Sequence, residues 1–267
     1  MNEVTRARFD GGLDRLSSLI ERFRVSATIV SPGSERARVA NFLVFLDAEG
    51  GRRLVFMPGG TSDTPLCPAR AGGLDETLEV AADISISGAG HHLIAALPQN
   101  IEISLSDAAD LEAVVVPLVG EVTRPRCGGQ AVFHRLCEIV VIRLLRHALE
   151  SGTTAVGLLA GLAHPRLAEA LVAIHETPDH AWTLEQLADQ AGMSRTQFAV
   201  TFKAVVGATP GVYLSSWRLE IARTELEAGS PVKRVARMCG FSSAAAFSRA
   251  FARRYGHAPR LERSRAA

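Results

Sequence analysis

The strongest constraint on this chain is a duplication within its last hundred residues. Leu184-Glu-Gln-Leu187-Ala188, running on to Gly192 and Met193, stands 48 residues before Val232-Lys-Arg-Val235-Ala236, which runs on to Gly240 and Phe241. One extra serine in the second copy lengthens the offset to 49. Ser194, Phe198, Phe202, Gly207 and Pro210 then align with Ser243, Phe247, Phe251, Gly256 and Pro259. Self-similarity at a fixed period marks a repeated supersecondary unit.

Each copy carries the physical parts of a helix-turn-helix. Thr183 with Gln186, and Ser194 with Gln197, have the spacing of capping boxes, in which hydroxyl and amide satisfy free backbone N–H groups at a helix start. Pro231 suits the first turn of a helix in the second copy. Ala188 and Ala236 keep the first helix of each pair slim, and Gly192 and Gly240 supply a turn residue with positive φ. Phe198/Phe202 and Phe247/Phe251, four apart, form the buried stripe of each second helix. The opposite faces then present Arg195, Thr196, Gln197, Ala199, Val200 and Lys203, and Ala244, Ala245, Ser248, Arg249, Ala252 and Arg253. Arginine can bond guanine bidentately, small residues admit thymine methyls, and lysine suits phosphate. Thr183, Ser194 and Arg218 are the expected contacts to the DNA backbone, the hydroxyls by orienting helix-start N–H groups. Between the copies, Leu214, Trp217, Ile221, Ala222 and Leu226 mark one helix ended by Gly229, a rigid spacer that would hold two recognition helices to successive major grooves.

Charge agrees with this placement. Residues 182–267 hold 13 Lys and Arg against 6 Asp and Glu, while the other 181 residues hold 16 against 22. A basic segment on an otherwise acidic chain points to an anionic partner. Two helical hairpins with a solvated basic face would explain one copy; a duplicated copy with surplus positive charge favours nucleic acid.

Trp182-Thr-Leu-Glu-Gln-Leu-Ala, Ala191-Gly-Met-Ser-Arg-Thr-Gln-Phe, Gly207-Ala-Thr-Pro and Tyr213-Leu-Ser-Ser-Trp-Arg-Leu resemble the AraC/XylS-type transcription regulators. Val235-Ala-Arg-Met-Cys-Gly-Phe-Ser-Ser and Phe247-Ser-Arg-Ala-Phe-Ala-Arg-Arg-Tyr-Gly complete a likeness spanning about 100 residues, Pro165 to Arg263. The resemblance implies a bacterial, cytoplasmic, sequence-specific DNA-binding regulator whose partners are promoter DNA and RNA polymerase. Many members carry an arginine where this chain has Val200, whereas Arg249 fits the usual arginine position of the second recognition helix.

The N-terminal part has a different texture. Leu13, Leu16, Leu19, Ile20 and Phe23 predict a short amphipathic helix. Strand-like runs follow at Val25–Val30, Val39–Leu46, Arg53–Met57, Asp83–Ser87 and Ile101–Leu105, with glycine- and proline-rich breaks at 58–73. Short strands with frequent turns suggest a β-sandwich or barrel. A helix is expected over Gly129–Glu150, then a small, glycine-containing connection over 151–163 and a helix at Pro165–Glu176. His92-Leu-Ile-Ala-Ala-Leu-Pro, Phe133-His-Arg-Leu-Cys-Glu and Gly157-Leu-Leu-Ala-Gly-Leu-Ala-His-Pro-Arg resemble the cupin-like sensor domain of one AraC-type subgroup. The expected fold is therefore α+β: a β-rich cupin-like sensor or dimerisation domain at 1–150, a linker at 151–163, and an all-α DNA-binding domain with two helix-turn-helix units at 164–267. By resemblance, the first domain receives a small-molecule or redox signal or pairs the chain as a homodimer.

No catalytic constellation is legible. A metal-bearing cupin needs histidines two apart on one strand face; His91 and His92 are adjacent, and no His-x-His occurs. GxSxG, Walker-type and HExxH motifs are also missing. Neither an enzyme, a metal nor a cofactor is expected; the alternative is an enzyme or ligand-binding cupin-like protein with an appended DNA-binding domain. The longest wholly apolar runs are too short for a membrane span, the charged first ten residues lack the apolar stretch of a secretory signal, and no membrane partner is expected. Four cysteines at scattered spacing give no disulfide framework. Cys67, between Leu66 and Pro68 in a loop, and Cys127, after Arg124 and Arg126 whose charges favour a thiolate, form a candidate redox pair. The plainer alternative is one loop and one helix-start cysteine without a role. Cys137 and Cys239 occupy positions suited to small core residues.

Overall fold

The computed structural model describes residues 8–9, 12–31, 40–59, 75–88, 94, 97–152 and 156–265. The chain divides into two compact units, one of residues 24–87 and 97–153, the other of residues 1–23, 88–96 and 154–267. Cys67, His91, His92, Val39 and the glycine- and proline-rich stretch beyond Gly59 lie outside the described residues.

The N-terminal segment forms two short paired strands, β1 (Arg8–Phe9) and β2 (Gly12–Leu13), and a single helical turn, α1 (Ser17–Ile20). The longer helix predicted from Leu13 to Phe23 is therefore confined to its middle. Asp14 starts it late, its Oδ1 accepting from the N–H groups of Leu16 and Ser17 at 3.2 and 3.0 Å. Phe23 already opens β3 (Phe23–Ile29), where Val25, Thr28 and Ile29 favour extended backbone.

The β-unit continues with β4 (Phe42–Leu46), β5 (Arg52–Phe56), β6 (Thr77–Gly88) and β7 (Ile101–Ser104). What the sequence suggests as a sandwich or barrel is, among the described residues, one five-stranded sheet in the order β3-β6-β4-β5-β7. The β4–β5, β4–β6 and β5–β7 pairs are antiparallel, with Phe42 opposite Phe56 and Val44 opposite Leu54. Both faces of β4 are buried, which explains why its sequence, Phe-Leu-Val-Phe-Leu, runs apolar instead of alternating. Arg53 covers one end, paired with Glu76 and Glu102 and stacked 4.9 Å over the Phe45 ring. Buried Asn41 acts as a strand partner: its Nδ2 donates to the Ile84 carbonyl and its Oδ1 accepts from the Ile84 N–H, each at 2.7 Å.

A short 3-10 turn at Leu105–Asp107 leads into α2 (Ala109–Thr123), which packs along α3 (Gly129–Ser151). The second helix matches its expected span; the first was not foreseen. Leu111, Val115 and Leu118 form its buried stripe at helical spacing, and the internal Pro117 is exposed.

The helical unit resumes with α4 (Leu158–Ala163), which lies inside the stretch read as a connection and buries Leu158, Leu159 and Leu162. Then follow α5 (Leu167–Glu176), α6 (Leu184–Gln190), α7 (Arg195–Val206), α8 (Pro210–Glu227), α9 (Val232–Met238), α10 (Ala244–Tyr255) and α11 (Pro259–Arg265). Leu214, Trp217, Ile221, Ala222 and Leu226 of α8 are all buried. That helix packs against α7, α9, α10 and α11, so both halves of the duplication rest on one rod. Among the described residues, no single helix is long and apolar enough to cross a membrane.

Candidate nucleic-acid interface

Both duplicated segments are helix-turn-helix units. In the first, Thr183 and Gln186 complete a capping box: the Gln186 N–H donates to Thr183 Oγ1 at 3.2 Å and the Thr183 N–H to Gln186 Oε1 at 2.9 Å. At Ser194 the hydroxyl half is present, accepting from the Gln197 N–H at 3.3 Å. The return bond from the Gln197 side chain does not form among the described residues, so this amide is exposed and available. In the second unit Pro231 sits at the cap position itself, one residue before α9. Ser243 caps α10 through the Ala246 N–H at 3.1 Å, a role its alignment with Ser194 made legible although it was not assigned.

The turns are set by Gly192, with φ of 59°, and Gly240, with φ of 70°. Gly240 is doubly constrained: a Cβ there would stand 2.7 Å from the Asp179 carbonyl oxygen. Behind each turn, Phe198 and Phe202, and Phe247 and Phe251, are fully buried with ring centroids 5.4 and 5.6 Å apart. Burying one face of each second helix leaves the other outward. Arg195, Thr196, Gln197, Val200 and Lys203 are exposed on α7; Ala245, Arg249 and Arg253 are exposed on α10, with Ala244 and Ser248 half-buried. Thr183 and Ser194 are exposed at their helix starts. Among the described residues, no carboxylate pairs with Arg195, Lys203, Arg249 or Arg253, so those charges face solvent uncompensated. Val200 is 66% exposed, an apolar side chain held out in water on a recognition face. Lys233, Arg234 and Arg237 on α9 are exposed as well. Their charge is legible in the sequence; their exposure on the first helix of the second unit is not.

Arg218 is placed otherwise than expected. Its Nε donates to the Pro178 carbonyl at 2.6 Å and its Nη2 to the His180 carbonyl at 2.8 Å. Burial pulls its pKa down from the usual guanidinium value. A fork that serves two backbone carbonyls braces the protein.

Residues 187–265 match the family model described as a helix-turn-helix domain, and residues 41–150 match a cupin model. A Streptomyces antibioticus protein named as an AraC-like transcription regulator is 34% identical over 196 residues, covering 72% of this chain and 65% of its own length. A Streptomyces lividans protein of the same name is 34% identical over 197 residues, covering 72% and 64%. The chain thus carries a helix-turn-helix domain preceded by a cupin domain, and it is similar to AraC-like transcription regulators. It spans just under two thirds of the length of those two Streptomyces relatives. Among solved structures, an AraC-type DNA-binding-domain protein from Chromobacterium violaceum is 30% identical, with a TM-score of 0.37 over 39% of this chain and 93% of its own.

The chain has three cysteines among its described residues, none in a disulfide. Cys127 is exposed beside Arg126, whose guanidinium is paired with Glu121. Cys137 and Cys239 are fully buried, and burial pushes each thiol up to about 12. They are core residues, not nucleophiles. Among the described residues, no three His, Cys, Asp or Glu side chains gather as a metal site.

Proposed function

We propose that this chain is an AraC-type, sequence-specific, DNA-binding regulator of transcription that lays α7 and α10 in successive major grooves of a promoter. One observation carries the reading: two helix-turn-helix units, each burying a phenylalanine pair and exposing unpaired basic residues, share the single rod α8. Arg195 and Arg249 then contact bases, and Lys203 and Arg253 contact phosphates. Gln197, Thr196, Ser248, Ala244 and Ala245 line the base edges, and Val200 meets a thymine methyl. Thr183 and Ser194, by capping their helices, aim backbone N–H groups at the phosphates.

The domain at 1–150 serves as a sensing or pairing module, joined through 151–163 to the DNA-binding domain at 164–267. Val132 and Ile139, seven apart and exposed on α3, support pairing of two chains along that helix. Exposed Cys127, with Cys67, remains the candidate for a redox signal. RNA polymerase at the promoter and a cytoplasmic setting complete the reading; no catalytic step is part of it.

The test is competition binding at fixed salt between the upstream region of the chain's own gene and random DNA. A preference of about a thousandfold or more is expected. Equal competition by both would remove the sequence-specific assignment.

A further inference from the structure

The β-unit holds a cavity of about 490 Å³, bounded by β3, the last turns of α2 and the first turns of α3. Among the described residues, β3 is an edge strand of its sheet. Ala27, Val122 and Phe133 contribute apolar wall and Gln130 a polar rim. Glu121, which also lines the cavity, is one of few buried charged residues among those described. Its carboxylate lies against the start of α3: a Cβ on Gly129 would stand 2.9 Å from Glu121 Oε2. There the positive end of the helix dipole favours an anion.

A carboxylate taken out of water needs a cationic partner. Here that partner is Arg126, and the pair is lopsided. The Glu121 side chain is 7% exposed, whereas that of Arg126 is 72% exposed on the loop between α2 and α3. The anion is fixed in the cavity wall while its counterion reaches in from a mostly exposed loop side chain, so an incoming cation can take its place without leaving the carboxylate unpaired. Arg126 and His134 also line the cavity, the first exposed and the second half-buried, but the carboxylate fixed in the wall repels an anion, and a neutral ligand leaves its charge unused.

We propose that this cavity binds a small organic cation, an ammonium on a short apolar or aromatic body, whose head group takes the place of Arg126 on Glu121. The body then lies on Val122 and Phe133, and Arg126 turns outward to water. The site deepens the sensing half of the proposed function and takes its regulatory meaning from it. Binding itself is read on the protein without DNA.

The experiment is calorimetric titration of the full chain with phenethylamine, which is an ammonium at neutral pH, and with its near-isosteres 2-phenylethanol and phenylacetate. Phenethylamine is expected to bind at least tenfold more tightly than the alcohol, and phenylacetate most weakly. Glu121→Gln should abolish the preference for the amine. Arg126→Ala removes the rival cation and, because it leaves buried Glu121 without its partner, should lower the stability of the ligand-free chain; once circular dichroism confirms that the variant is folded, it should bind the amine at least threefold more tightly. Equal affinity for amine and alcohol in the unaltered chain, or weaker or undetectable amine binding in Arg126→Ala, overturns the proposal. If the amine binds as expected yet leaves promoter binding unchanged, the cavity assignment stands and the sensing reading of this unit falls.

Discussion

Arg218 donates its Nε–H to the carbonyl oxygen of Pro178 across 2.6 Å. The bond runs from the middle of α8 to the segment that leads into the first helix-turn-helix. The same guanidinium reaches His180, and the turn of the second unit presses on the same place, since a Cβ at Gly240 would be 2.9 Å from Arg218 Nη2. Three pieces of the duplicated domain therefore meet at one side chain.

Arg218→Lys should destabilise the domain by about 2 kcal/mol, because a single ammonium cannot serve two carbonyls in a planar fork. Urea unfolding measures this. In Arg218→Gln, which removes the charge, the salt dependence of DNA binding should stay as steep as in the unaltered chain, since the fork's partners are carbonyls of the protein. A shallower slope would return it to the DNA backbone.

Lys203→Ala should weaken binding to every sequence alike and reduce the salt slope by about one unit. Arg249→Ala should cost about 1–3 kcal/mol on the specific site alone and relax preference at one base position. Titrations over a range of salt on specific and random DNA separate the two. Identical behaviour of both variants would deny Arg249 its role at a base.

Gly240→Ala and Gly192→Ala form a matched pair. Both glycines have positive φ, so either alanine meets a backbone cost of about 1–2 kcal/mol. A Cβ at 192 meets nothing within 4 Å, whereas one at 240 collides with the Asp179 backbone. Gly240→Ala should therefore be clearly the more destabilising in thermal unfolding; equal losses would mean that the Asp179 contact gives way freely.

Asn41→Leu should destabilise the β-unit by about 2–4 kcal/mol, because it strips both partners from the buried backbone of Ile84. Denaturant unfolding checks it. A loss under about 1 kcal/mol would show that other groups take over both bonds.

The cysteines predict a labelling pattern. Iodoacetamide at pH 8 should modify Cys127 quickly, while Cys137 and Cys239 stay protected in the folded chain, as read by peptide mass mapping. Burial raises both protected thiols from 9.0 to about 12. The folded state thus holds their protons more tightly than the unfolded chain does. Their stabilising contribution is complete below pH 9 and is lost as pH climbs from there toward 12. Alkaline unfolding in that window should shift upward in Cys239→Ala if the cavity cost is small; fast labelling of Cys137 at pH 8 would contradict the burial argument.

Local chemistry made much of the helical domain legible. Thr183, Ser194, Gly192 and Gly240 act within a few residues of themselves, and the phenylalanine pairs report their own helix by spacing. α2 escaped notice because Val114-Val115-Val116 and Pro117 argue against a helix locally, although Leu111, Val115 and Leu118 already carried its period. The helix predicted from the sequence overruns α1 because Phe23 continues the helical spacing by chance while sheet pairing claims it. Arg218 looked like a phosphate ligand because its charge is visible in sequence and its carbonyl partners, about forty positions upstream, are not. Glu121 and Arg126 stood only five apart, but burial of one and exposure of the other is a property of the packed helices.

The knot at Arg218 has a consequence for the proposed target. A reader whose two halves are locked together cannot stretch, so its two contact sites on DNA must keep their separation even where individual bases vary. One base pair inserted between them would turn the second site by about 34° around the duplex axis. On the proposed reading, such a frame error should be more damaging than several mismatches, because spacing is measured as well as sequence.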